Sequence, residues 1–210
     1  MTRQSLVDIS QTLQAGMPGW PGDTPFGSEV TWNHGPDCPV RVSRYTVSTH
    51  AGTHADAPLH YDPVGAAIDA VSLDAFIGPA RVLDLRDCGR VITPDLVGAA
   101  LGGPLRVLFR TYAEFPHESW SEAFVTLAAE TVNLLAASGV VLLGIDSPSI
   151  DPQHAKVLLA HNAARAAGLR ILEGLVLDAV EAGDYELIAL PIRLRGLDAA
   201  PVRAVLRPLS

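Results

Sequence analysis

Four groups able to bind a divalent cation fall within eleven residues of this 210-residue chain: His50, His54, Asp56 and His60. They sit in the stretch Ser48-Thr-His-Ala-Gly-Thr-His-Ala-Asp-Ala-Pro-Leu-His-Tyr-Asp62, which holds three of the seven histidines. Imidazole and carboxylate together form the ligand set of a borderline cation, zinc first and manganese as competitor. A lone histidine is usually packed or solvated. Four such groups, with Gly52 and Pro58 available for bends, argue for a metal site.

The spacing limits how the chain can run. Even separations put all four side chains on one side of a strand. A helix would have to survive Gly52 and Pro58. The His50/His54 spacing also fits the zinc-protease pattern H-E-x-x-H, but Ala51 stands where its general base belongs. On a straight strand two residues four apart are about 13 Å apart, too far for ligands that each sit ~2 Å from one ion. The sequence therefore predicts a strand ending near His50, a turn at Gly52 and an extended loop held by Pro58.

The elements around this stretch read as an α/β protein. Leu6–Ser10, Val30–Trp32 and Arg41–Thr49 read as strands, the last leading straight into the metal stretch. Met17–Pro25 is dense in Pro and Gly and reads as a loop that could present Trp20 to a ligand or pack it on its own domain. Ala80–Leu85, Arg106–Arg110 and Arg170–Glu173 read as strands, and Val140–Ile145 as a buried parallel strand. Helices are expected from Thr93-Pro94 to Leu101, from Leu127 to Ser138 and from Asp151-Pro152 to Ala167. The last would put His154 and His161 on nearly one face. Two further strands, Tyr185–Leu194 and Val202–Leu209, are joined by a loop over 196–201. Asp146 lies just past the buried strand and suits either turn chemistry or orientation of a histidine. Glu173 stands among aliphatic residues, where a carboxylate is costly unless paired or metal-bound.

The pattern H-x-G-T-H-x-D-x-P-x-H resembles the signature of the cyclase/metal-dependent amidohydrolase family, which includes the bacterial arylformamidases. Asp8-Ile-Ser10, Trp20-Pro-Gly-Asp23, Gly144-Ile-Asp-Ser-Pro-Ser149 and Leu172-Glu-Gly-Leu175 are similar to that family as well, so the resemblance spans essentially the whole chain. It implies one α/β domain over residues 1–210, with a mixed sheet of swivelling β/β/α type, and a homodimer. It implies His50, His54, Asp56, His161 and Glu173 as metal ligands, the two carboxylates bridging two ions, with two Zn2+ per subunit and Mn2+ as the alternative. It implies Trp20 as a contact to an aryl ring. The implied reaction is hydrolysis of N-formyl-L-kynurenine to kynurenine and formate in tryptophan degradation. His60, outside that ligand set, is then free to shuttle a proton while metal hydroxide attacks the formyl carbon. Two other readings fit the same residues: a sibling hydrolase of cyclic amides or lactones, and a metal-stabilised binding protein without turnover.

Composition excludes other classes. Hydrophobic residues make up 48% of the chain, which argues against disorder. The net charge of -8 offers no basic footprint for nucleic acid. No apolar run approaches the ~20 residues of a membrane helix. The start, Met1 to Asp8, has no signal-peptide core, and Cys38 and Cys88 form no C-x-x-C pair. A cytoplasmic enzyme is the expectation. No G-x-S-x-G elbow occurs, so a serine nucleophile is not expected.

Overall fold

The computed structural model describes residues 6–209. Most of the start read above for a signal segment lies outside them. The chain opens with β1 (Val7–Asp8), β2 (Gly27–Trp32), β3 (Val42–Thr46), β4 (His54–Asp56), β5 (Ile77–Asp84), β6 (Val91–Ile92), β7 (Arg106–Arg110) and β8 (Thr126–Leu127). Then follow α1 (Ala129–Ala137), β9 (Leu142–Ile145), α2 (Leu159–Ala167), β10 (Arg170–Glu173), β11 (Gly183–Ile188), β12 (Ala199–Pro201) and β13 (Val205–Pro208).

Nine strands form one mixed sheet in the order β1-β13-β11-β5-β7-β9-β10-β4-β12. Its middle, β5-β7-β9-β10, is parallel, and the strands on either side run antiparallel. The parallel strands are apolar on both faces because both faces are covered. Side-chain alternation splits them between two cores. Leu108, Leu142 and Leu172 join Ile9, Phe76 and Leu206 on one side. Val107, Phe109, Leu143, Ile145 and Ile171 join Leu135 and Ala164 of the helices on the other. Phe109 is fully buried, and its truncation to Ala would cost about 3–5 kcal/mol.

Crossovers carry the chain between parallel strands. The first predicted helix is present as a 3-10 helix over Pro94–Ala100, although Thr93 makes no side-chain cap there. The second predicted helix is α1, closed by Gly139. The third begins eight residues later than expected. The carboxylate of Asp151 accepts hydrogen bonds from the Ala160 and His161 amides, at 3.0 and 2.9 Å, and so caps a helix that starts at Leu159. His154 therefore lies outside α2. It is exposed and paired with Glu122, so the shared face with His161 does not exist.

Two more expectations are corrected. Residues after Gly52 form a buried strand rather than an extended loop: β4 inserts between β10 and β12. The expected 196–201 loop contains its partner β12. Both misreadings share a cause: three-residue strands carry too little periodicity to be seen locally. Apart from the large sheet, β2 and β3 pair as a hairpin whose strand residues are all exposed.

Candidate metal centre

The antiparallel register of β4 on β10 sets His54 opposite Glu173 and Asp56 opposite Ile171. Opposed residues share a face, as do residues two apart. His54, Asp56 and Glu173 thus point to the helix side of the sheet, where Ile171 packs, and Ala55 points to the other core. From that side the first turn of α2 supplies His161. Gly52 adopts φ +63° and turns the chain so that His50 returns towards β4. His60 ends a 3-10 turn begun by Pro58.

These residues meet. Asp56 Oδ1 lies 3.1 Å from His50 Nδ1 and 3.4 Å from His54 Nε2, and its Oδ2 lies 3.3 Å from His161 Nε2. Glu173 spans the same gap, with Oε2 3.4 Å from His54 Nε2 and Oε1 3.5 Å from His161 Nε2. Ligand atoms of His50, His54 and Asp56 all fall within 4.8 Å of one another, and so do those of Asp56, His60 and His161. The His60 ring lies beside His50, tilted by 45° with 4.1 Å between centroids, and its side chain is one-third exposed. The six residues singled out in the sequence for metal binding and proton transfer are therefore one cluster, with His60 on its open side.

The polar atoms in this cluster show what it lacks. His54 Nε2, His161 Nε2 and both oxygens of Asp56 are buried without a hydrogen-bond partner. Such groups are costly to bury unpaired. The outer nitrogens, by contrast, are all tied to acceptors. His54 Nδ1–H donates to the Gly52 carbonyl at 3.0 Å, His161 Nδ1–H to Asp151 at 2.7 Å, and His50 Nε2–H to Asp198 at 3.0 Å. Each bond places the ring proton on the outer nitrogen and leaves the inner lone pair for a cation. Three imidazoles and two carboxylates, arranged so, fit one or two divalent ions.

Charge explains the pKa values without an ion. Burial opposes protonation of His54, but Asp56 and Glu173 outweigh it and push the value up to about 10. Burial likewise opposes the charge on His161, and Asp151, Asp56 and Glu173 raise its pKa well above the ordinary value. Asp56 is held well below the carboxylate range by His161, His50 and His54 despite its burial. His60 moves the other way: burial lowers its pKa.

A cavity of about 390 Å³ opens onto the cluster. Trp20 lines it, 37% exposed, with its ring edge-on to Trp120 at 5.5 Å between centroids. The Trp120 indole N–H donates to Gln153 Oε1 at 2.8 Å, which fixes that ring. Asp146 touches no histidine. Its carboxylate accepts from the Thr111 and Tyr112 amides and the Thr111 hydroxyl, at 2.6, 2.9 and 2.5 Å, and so pins the loop that lines the cavity. Burial raises its pKa to about 6 against those bonds.

Three residues of this site were not identified from sequence. Asp151 reads locally as a helix opener, Trp120 as part of a loop, and Asp198 as part of a connection. Only the β4–β12 pairing brings Asp198 to His50, and no local pattern reports it.

Comparison with known proteins bears on the same residues. The model of the Cyclase family matches residues 7–152. The chain belongs to that family. Its relatives carry the likeness past residue 152: the kynurenine formamidase of Maricaulis maris (strain MCS10) is 52% identical over 203 residues, covering 96% of this chain and 97% of that one. Among solved structures, a potential metal-dependent hydrolase with cyclase activity is 30% identical, covers 98% of both chains and superposes with a TM-score of 0.84. A predicted metal-dependent hydrolase from Bacillus stearothermophilus is also 30% identical, covering 96% of this chain and 97% of that one, with a TM-score of 0.81. This cyclase-family chain is an amide-hydrolysing enzyme, and the His/Asp cluster is its candidate metal centre.

Proposed function

We propose that the chain, as a single domain over residues 1–210, hydrolyses N-formyl-L-kynurenine to L-kynurenine and formate. The observation that carries this reading is the set of buried, unpartnered atoms of His54, Asp56 and His161 facing one another beneath an aromatic-walled cavity. The kynurenine formamidase relative agrees with it.

His50, His54, Asp56, His161 and Glu173 would hold the metal. Two Zn2+ ions suit this set, and Mn2+ is the alternative. When bound there, such ions polarise the carbonyl and supply a hydroxide-strength nucleophile near neutral pH.

The chain's own residues do the rest. Trp20 and Trp120 flank the aryl ring and hold the formyl group towards the cluster. Water adds to the formyl carbon and the C–N bond breaks. The arylamine is a poor leaving group until protonated, so His60 accepts a proton from the adding water and returns it to the nitrogen. Its lowered pKa keeps it in the accepting form at neutral pH. Asp198, 3.0 Å from His50 Nε2 and 3.7 Å from His60 Nδ1, steadies both rings.

The exposed β2–β3 hairpin supports a homodimer. Trp32 and Tyr45 are each 61% exposed on it. A lone hairpin is marginal in water, and a partner's cover would stabilise it. Free Cys38 and Cys88 suit a reducing cytoplasm. Among the described residues no helix is long and apolar enough to cross a membrane.

The test is turnover of N-formylkynurenine by protein stripped of metal and reloaded with zinc or manganese. Kynurenine formation that disappears on stripping and returns on loading supports the assignment. Absence of turnover by a loaded centre refutes it and leaves cyclic amides and lactones as the substrates to try.

A further inference from the structure

Outside the metal centre, the cavity wall has a charge bias that hydrolysis itself does not need. Among the described residues, no lysine or arginine lines it. Two carboxylates do, those of Asp146 and Asp23. Asp146 is committed to Thr111 and Tyr112. Asp23 is not so committed. Its amide closes a turn onto the Trp20 carbonyl at 3.0 Å, so it sits in the same turn as the indole in the cavity wall. Its Oδ1 accepts from the Thr24 amide at 2.6 Å. Its Oδ2 has no hydrogen bond or ion pair among the described residues.

The neighbouring aromatic wall has the same preference. Trp20 and Trp120 stand at 74° to one another, and the Gln153 bond holds Trp120 in place. Indole faces attract cations and give anions nothing. A ligand bound with its formyl group at the metal centre and its ring on these indoles would keep any further substituent in the same cavity, whose wall includes Asp23.

We propose that Asp23 is a specificity-determining residue: it takes the ammonium group of the substrate's amino-acid arm, so the site selects aryl formamides that carry a cation. The proposal rests on the formamidase reading and deepens it. An anionic aryl formamide without an ammonium group, such as N-formylanthranilate, meets Asp23 as a like charge. The carboxylate of the amino-acid arm is left to solvent at the open end.

Binding tests this apart from turnover. The probes are L-kynurenine and its analogue lacking the α-amino group, titrated calorimetrically into zinc-loaded protein. The parent should prefer kynurenine by about five- to tenfold, the size of one charge-assisted contact in a partly exposed site. Asp23→Asn keeps the Oδ1 acceptor for Thr24, and with it the turn, and should remove most of that preference. Raising salt to ~0.5 M should shrink the parent's preference in the same direction. A preference that survives Asp23→Asn in a protein with unchanged melting temperature overturns the proposal, as does a parent that never discriminates. Failure of the formamidase reading looks different: N-formylkynurenine is not turned over, whatever the two probes do.

Discussion

Replacing Asp151 removes a carboxylate that contacts no substrate but receives three N–H donors: the Ala160 amide, the His161 amide and His161 Nδ1. Two consequences separate in magnitude. Asp151→Ala leaves three buried donors without their acceptor and strips α2 of its cap. A lost cap costs about 0.5–2 kcal/mol and an unsatisfied buried donor about 1–3. Water entering the vacated space recovers part, so a net loss of about 2–4 kcal/mol is expected. The second consequence falls on the metal centre. Without Asp151 nothing holds the proton of His161 on Nδ1, and Nε2 faces Asp56 and Glu173 in either tautomer. Loss of such an orienting partner typically costs 10–100-fold in metal affinity. Asp151→Asn retains one oxygen, which can keep both His161 bonds at the expense of Ala160. It should lose about 1–3 kcal/mol and less than tenfold in affinity. Urea unfolding of the stripped proteins reads the first quantity, and competition with a chromophoric chelator for zinc reads the second. If Asp151→Ala loses stability as expected but binds zinc within about twofold of the parent, Asp151 is a helix cap and nothing more, and the argument from the outer nitrogens fails.

Other consequences are simpler to state. Burial lowers the His60 pKa from 6.5, so the acid limb of kcat/KM should lie below that pH; His60→Ala should reduce kcat by ~10²–10⁴-fold and abolish the limb, and a limb that persists excludes His60 as its source. Burial raises the Asp146 pKa from 3.8 to about 6, so its stabilising contribution is complete below pH 3.8 and disappears as pH rises through 6. In urea melts at pH 4 and pH 7.5 the difference in stability between the parent and Asp146→Asn should shift by about 2–3 kcal/mol in the variant's favour at the higher pH, and a constant difference contradicts the assignment. Gly52→Ala places a side chain at φ +63° with its Cβ 2.7 Å from Leu13 Cδ2; about 1–3 kcal/mol of stability should be lost, and an unchanged unfolding midpoint would show that the turn relaxes freely.

What the sequence makes legible follows the range of the forces involved. The apolar runs of β7 and β9 and the stop signals at Gly139 and Gly168 are local, and the strands and helix ends appear where they point. The candidate ligands within 50–60 are legible because their chemistry is concentrated, even though their secondary structure is not: β4 spans three residues and exists because β10 and β12 flank it. Asp151 is visible as a helix opener, yet Pro152 and the turns after it delay α2, and the carboxylate reaches nine residues forward instead. Asp198 had no signal at all. It stands 148 residues from His50 in sequence and meets it only through strand pairing. His161 and Glu173 were identified by likeness to a family, since one histidine on a helix and one glutamate in a strand do not reveal that they converge.

The centre is also a folding problem, because it puts Asp56 and Glu173 on neighbouring strands near one edge of the sheet, within reach of the same two imidazoles. Two carboxylates that close would repel one another strongly if left alone. Protons on His54 and His161 supply the balancing charge, which is why both imidazoles hold them so tightly and why Asp56 stays ionised in a fully buried place. A divalent ion held by the same carboxylates and the same Nε2 atoms would have to displace protons from the very groups that bind them most firmly. Proton and ion are alternative occupants of one geometry. The outer acceptors serve both: Gly52 and Asp151 hold the rings in place whichever occupant sits between the inner nitrogens. The fold can therefore form around protons and keep these side chains aimed, and an ion would enter a site already shaped for it.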